Sequence, residues 1–135
     1  MFASVHWRCH LRVGDRHKAE RLVGRVEALL GHPMEITGYE RYWKLPGLAE
    51  VQLVSPLNRS DPADALLATL ESAWAIGTGW SVGPGSGDRR EFEGIAAITS
   101  SGRFTVPGIE WMTFSIGDDS TGTGLGRTSV PGRAS

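Results

Sequence analysis

Cysteine is nearly missing from this chain of 135 residues, and Cys9 is its only one. An internal disulfide is therefore impossible and a thiolate cluster cannot hold a metal within one chain, which fits a reducing compartment. Long apolar runs are missing too: no segment approaches the roughly 20 residues of a membrane helix. The opening MFASVHWRCHLRV places charge every few positions, unlike a secretory leader. The expectation is a soluble, cytoplasmic protein with no membrane partner. Net charge is close to missing as well, since the formal value is -1. Such a chain carries neither a basic field that selects nucleic acid nor an acid-rich solvating tail, so no nucleic-acid partner is expected. No internal repeat is visible.

What is present supports one packed core. Hydrophobic residues make up 40% of the chain, and a domain of this length buries about two-thirds of its unfolded surface. From Ser4 to Val13 the alternation is strict, with Val5, Trp7, Cys9, Leu11 and Val13 on one parity and His6, Arg8, His10 and Arg12 on the other. Period two means a strand with one buried and one wet face. Gly14 breaks it, and Asp15 suits an N-cap.

Ala19, Leu22, Val23, Val26, Leu29 and Leu30 recur at helical intervals between Arg16 and Leu30, with Gly31 and Pro33 as stop signals. The segment MEITGYERYWKLPGLAEVQLVSPL reads as a hairpin turning at Pro46-Gly47. In its second arm Glu50 and Gln52 are expected on the side of His6, Arg8 and His10. Asp61 followed by Pro62 starts a second helix. Its apolar stripe, Ala63, Leu66, Leu67, Leu70, Ala73 and Trp74, is predicted to face the core. The glycine-rich stretch 77–90 reads as a mobile connection. Glu91 to Ile116 reads as a terminal hairpin in which either Trp111 or Phe114 points inward.

These elements predict an α+β domain over 1–117 and a flexible Gly/Ser/Thr-rich tail over 118–135. Their order, strand, helix, strand, strand, helix, strand, is that of the ferredoxin-like βαββαβ plait. Its antiparallel sheet would carry both helices on one face, with an extra C-terminal hairpin. The uncovered sheet face is then the natural place for a site, although fold does not set function.

No cofactor or catalytic set is expected. Gly77 to Gly83 follows a helix and precedes strands, the reverse of a dinucleotide loop, and Gly85-Ser86-Gly87-Asp88 lacks the lysine of a phosphate-binding loop. Asp88, Arg89, Arg90, Glu91 and Glu93 crowd together, but acid/base catalysis needs groups held in a pocket. Cys9 has apolar parity and reads as a buried small hydrophobe. His6 and His10, four strand positions apart, stand about 13 Å from each other and cannot share a metal without help from another strand. No metal site is expected.

The candidate binding residues are His6, Arg8, His10 and Arg12, with Glu50 across the sheet and with Tyr42, Trp43 and Trp80 as aromatic anchors. Arg8 or Arg12 pairing with Glu50 is the structural explanation of the polar row; contact with carboxylates or phosphates is the functional one. Tryptophan and tyrosine are common interface anchors, and the same three rings also suit capping the ends of the core. Trp7, Trp74 and Trp111 fit core stripes. Together these point to a non-enzymatic protein-binding domain, a toxin-neutralising or regulatory partner that uses the open sheet face. The alternative is a small-molecule enzyme or ligand-binding domain with a pocket between that face and the 77–93 link. Homodimerisation through the sheet is a third use of the same surface.

Overall fold

The computed structural model describes residues 1–85 and 91–118. The expectations for Asp88, Arg89 and Arg90, and for the tail beyond Asp118, lie outside the described residues. In chain order the elements are β1 (Phe2–Leu11), α1 (Arg16–Leu30), β2 (Glu35–Arg41), β3 (Ala49–Arg59), α2 (Pro62–Ile76), β4 (Gly77–Thr78), β5 (Ser81–Pro84), β6 (Glu91–Ala97), a 3-10 turn (Ile98–Ser100), β7 (Arg103–Phe104) and β8 (Ile109–Gly117).

Both helices start where local chemistry places them. Asp15 accepts a hydrogen bond from the Lys18 amide at 2.8 Å, and Asp61 accepts one from the Asp64 amide at 3.0 Å. Each cap satisfies an amide that the helix itself leaves unpaired. Gly31 ends α1 with φ of 77°, a left-handed conformation that glycine adopts without strain.

The fold is α+β, built on a six-stranded antiparallel sheet of order β2-β3-β1-β8-β6-β5. Phe2, Val5, Trp7, Cys9 and Leu11 of β1 enter one hydrophobic core with Ala19, Leu22, Val23 and Val26 of α1 and with Ala65, Ala73 and Ile76 of α2. That core lies on one side of the sheet, and among the described residues no helix covers the other.

This strand order differs from that of the ferredoxin-like plait. There the strand after α2 enters the sheet beside β1; here β8 takes that place, and β6 and β5 extend the sheet beyond it. The reason lies in side-chain volume. β8 brings Ile109, Met112, Phe114 and Ile116 to the core, whereas the core-facing positions of β6 are Phe92, Gly94 and Ala96. β8 thus supplies more of the core than β6 does.

The glycine-rich stretch also departs from expectation. Gly77–Thr78 pairs with Arg103–Phe104, and Ser81–Pro84 forms the edge strand on β6. Trp80 pins the link between them. Its indole N–H donates to the carbonyls of Ala73 at 2.8 Å and Gly77 at 3.1 Å, and its ring packs on Phe114 and Trp7.

Helix α2 is rotated relative to the predicted stripe. Its buried residues are Ala65, Thr69, Ala73 and Ile76, while Leu67 and Trp74 are 64% and 52% exposed. Trp74 is thus outside the core it was expected to enter.

Candidate functional site

The register of the antiparallel ladders sets out the open face as cross-strand rows, because directly paired residues point to the same side. One row runs Gly83, Glu93, Ser115, His6, Val54, Glu35. The next runs Ser81, Ile95, Thr113, Arg8, Gln52, Gly38. The third runs Ala97, Trp111, His10, Glu50, Glu40.

The third row forms a ridge. The His10 imidazole is stacked between two rings, Tyr42 at 4.2 Å and Trp111 at 4.4 Å between centroids, with interplanar angles of 30° and 24°. Glu50 lies beside the stack, its carboxylate 3.6 Å from His10 Nε2 and 3.8 Å from an Arg8 guanidinium nitrogen. The Arg8 guanidinium also sits 5.9 Å from the centroid of Trp111. At the outer end of the ridge Trp43 is 79% exposed, with the Lys44 ammonium 5.1 Å from its ring centroid.

The first two rows form a hollow. Gly83, Ser81, Thr113 and Ser115 are small, and the space above them is a cavity of about 470 Å³ walled by Arg8, Glu93 and Ile95. A neighbouring hollow of about 360 Å³ shares Arg8, Thr113 and Ser115 and extends to His6 and Gln52. Arg8 therefore stands at the centre of the face, between ridge and hollows.

The structure brings His6, Arg8, His10, Glu50, Tyr42 and Trp43 to this open side of the sheet. Arg12 is near its rim, where it pairs with Glu110 rather than Glu50, and that hydrogen bond raises its pKa. Trp80 is not part of the surface: at 9% exposure it belongs to the core on the opposite side, and its polar N–H is already bonded. Cys9 is also on the core side, and burial, helped by the Glu50 charge, pushes its thiol up to about 12. It stays protonated and is no nucleophile there.

Sequence reasoning leaves open whether Trp111 or Phe114 points inward, and it misses the hydroxyl residues of the hollow. The cause at Trp111 is a β-bulge. Leu11 pairs with Ile109 while His10 pairs with Trp111, leaving Glu110 as an extra residue. The bulge reverses the parity, so Ile109 and Met112 both point inward and Trp111 points out. The spacing of Ile109 and Met112 was the available signal. Ser81, Thr113 and Ser115 carry none, because only pairing in the sheet assembles them.

His10 gives a pH-dependent prediction. Its side chain is only 14% exposed. Desolvation lowers its pKa from 6.5, opposed by the Glu50 carboxylate and reinforced by Arg8. The folded protein thus binds this proton less readily than the unfolded chain does. The stability due to the neutral stacked ring is complete above the unfolded value of 6.5 and is lost as pH falls through the lower folded pKa. Urea unfolding at pH 7 and pH 5 should show wild type losing more stability on acidification than His10→Gln. Equal losses would show that His10 does not carry the effect.

Among the described residues no group of three or more His, Cys, Asp and Glu side chains is placed to hold a metal ion, and no helix is long and apolar enough to cross a membrane. Comparison of the chain with protein-family models, with curated proteins and with solved structures finds no match.

Proposed function

We propose that the chain is a non-enzymatic binding protein that holds a protein partner against its open sheet face, as a toxin-neutralising or regulatory partner in the cytoplasm. The supporting observation is the Tyr42–His10–Trp111 stack, with Arg8 beside it and the exposed Trp43 at its end, on the side that no helix of the described residues covers. Aromatic and arginine side chains dominate many protein interfaces. Rings already locked by one another lose little freedom on binding, which reduces the entropic cost of association. Both faces of the imidazole are occupied, so His10 offers no platform for a stacked base. The same reading treats β1-α1-β2-β3-α2 as a ferredoxin-like plait in which β8 stands in for the fourth strand.

A second reading draws on the hollow. Its volume of about 470 Å³ is within the range of small-ligand sites, roughly 300–1,000 Å³. Ser81 to Pro84 line it, as a pocket between the sheet face and the 77–93 link requires. The acid/base groups of such a site would be drawn from His6, His10, Glu91 and Glu93; Glu93 lines this hollow and His6 its neighbour, while His10 is committed to the ridge. The protein-partner reading is preferred because the ridge gathers Tyr42, Trp111, Trp43 and Arg8, the side-chain types that dominate protein interfaces.

The test starts from a partner captured with the tagged chain from its native host and then purified. Binding of that partner should weaken about tenfold or more for Arg8→Glu and for Trp43→Ala. Glu20→Lys, on the exposed side of α1 beyond the core, should leave it unchanged. A partner that binds Arg8→Glu as tightly as wild type, or no partner above background, removes the reading.

A further inference from the structure

Helix α2 leaves two of its large apolar side chains outside the core. Ala65, Thr69, Ala73 and Ile76 are buried and Leu66 and Leu70 are half-buried against the edge of the core, whereas Leu67 and Trp74 are exposed. At about 100° per residue, Leu66, Leu70, Trp74 and Leu67 fall within an arc of about 100°, so they form one apolar stripe over two turns. A surface helix normally keeps such a stripe for the core and its polar residues for solvent. Here one edge of the stripe, Leu66 and Leu70, touches the core, and the other, Leu67 and Trp74, is left to solvent.

The charge along the stripe narrows what covers it. Asp64 and Glu71 are exposed beside Leu67, and α2 contains no Lys, Arg or His. The basic surface of α1 is on the other flank. The residue that faces the α1 connection is Ser72, whose hydroxyl is 3.4 Å from His32 Nε2, and Ser72 lies about 160° round the helix from Trp74.

We propose that this stripe is a second docking surface, and that its occupant is an amphipathic helix of a partner protein whose apolar face is flanked by Lys or Arg. Helix against helix matches a straight stripe two turns long, read as anchors at three- and four-residue intervals. The acidic margin attracts a basic flank and steers its approach. The same margin disfavours a second copy, since α2 against α2 around a twofold axis sets Asp64 and Glu71 of both chains along one seam. It also disfavours an anionic membrane surface. Because the stripe is on the helix side of the sheet and the Arg8 ridge is on the other, the two surfaces can be occupied together.

The test uses the full chain and a fluorescein-labelled amphipathic helix made of leucine and lysine, with a leucine and glutamate helix as counterpart, followed by fluorescence anisotropy. The lysine helix should bind saturably and about tenfold or more tighter than the glutamate helix. Leu67→Glu should weaken it about tenfold even though that change adds negative charge, which separates apolar docking from general attraction. Leu67→Ser, with a far-UV spectrum like wild type, repeats the loss without the added charge. The double variant Asp64→Lys with Glu71→Lys should reverse the preference between the helices. Equal binding of both helices, or full binding to Leu67→Glu, overturns the proposal. So does a wild-type dimer in sedimentation that Leu67→Glu converts to monomer, or binding to phosphatidylglycerol-containing vesicles that Leu67→Glu abolishes.

Discussion

Trp7→Ala should lower the free energy of unfolding by about 3–5 kcal/mol, the range for deleting a large buried aromatic side chain. Trp7 is on β1, is fully buried, and is edge-on to both Phe114, at 5.7 Å between centroids, and Trp80, at 6.4 Å. Its indole N–H donates to the Ser55 hydroxyl at 2.9 Å, across to β3. The substitution therefore removes one of the two tryptophans of the core, leaves a cavity between β1, β8 and the Trp80 link, and takes a hydrogen-bond donor from a buried hydroxyl. Neighbours cannot collapse into the space, because Trp80 is held by two carbonyls and Phe114 by the sheet register. Domains are stable by only about 5–15 kcal/mol, so the variant should show a much lower urea midpoint with an unchanged slope. Trp74→Ala is the internal control: with half its surface already in water, it should cost far less. Similar midpoints for the two variants would contradict the placement of both rings.

Gly94→Val should destabilise the protein by about 1–3 kcal/mol or more through overpacking. A Cβ at position 94 would lie 2.2 Å from Phe114 Cε2 and 2.6 Å from Cζ. Neither atom belongs to a loose chain end, since Phe114 is fully buried and its ring also meets Trp7 and Trp80 at 5.7 Å and 5.5 Å. Valine in a strand has a compensating advantage, because glycine loses about 0.5–1 kcal/mol there through backbone entropy. The clash is the larger effect, so the net sign is unfavourable. The near-UV spectrum should change with it, as the rings around Phe114 are displaced. A variant as stable as wild type, with an unaltered spectrum, would mean that β6 does not press against Phe114.

The two glycine regions show how differently local and distant causes read. Gly31 is legible from sequence as a helix stop, because its role depends on the residues just before it. Gly94 carries no such sign; it is demanded by a ring on another strand, twenty positions along the chain, Phe114. The same contrast divides the candidate site. Alternation alone placed His6, Arg8 and His10 on the polar side of β1, and Glu50 and Gln52 followed from the parity of β3. The choice between Trp111 and Phe114 stays open in the sequence because the bulge at Glu110 is set by pairing with β1, and an alternating pattern cannot contain it. Trp80 looked available for an interface because its neighbours are glycines, whereas its surroundings are Trp7, Phe114 and the end of α2.

Local pattern suffices for α1 over Arg16–Leu30, for the Asp15 and Asp61 caps, for the β1 faces and for the hairpin turning at Pro46-Gly47, because each depends on residues within a few positions of one another. The rest is settled by packing between distant segments. β8 rather than an earlier strand lies beside β1, and its side chains supply more of the core than those of β6 do. α2 presents Ala65, Thr69, Ala73 and Ile76 to the core and leaves Leu67 and Trp74 outside it. The ridge of Tyr42, His10 and Trp111 joins three segments that no short-range signal connects, and it exists because the sheet register makes them neighbours.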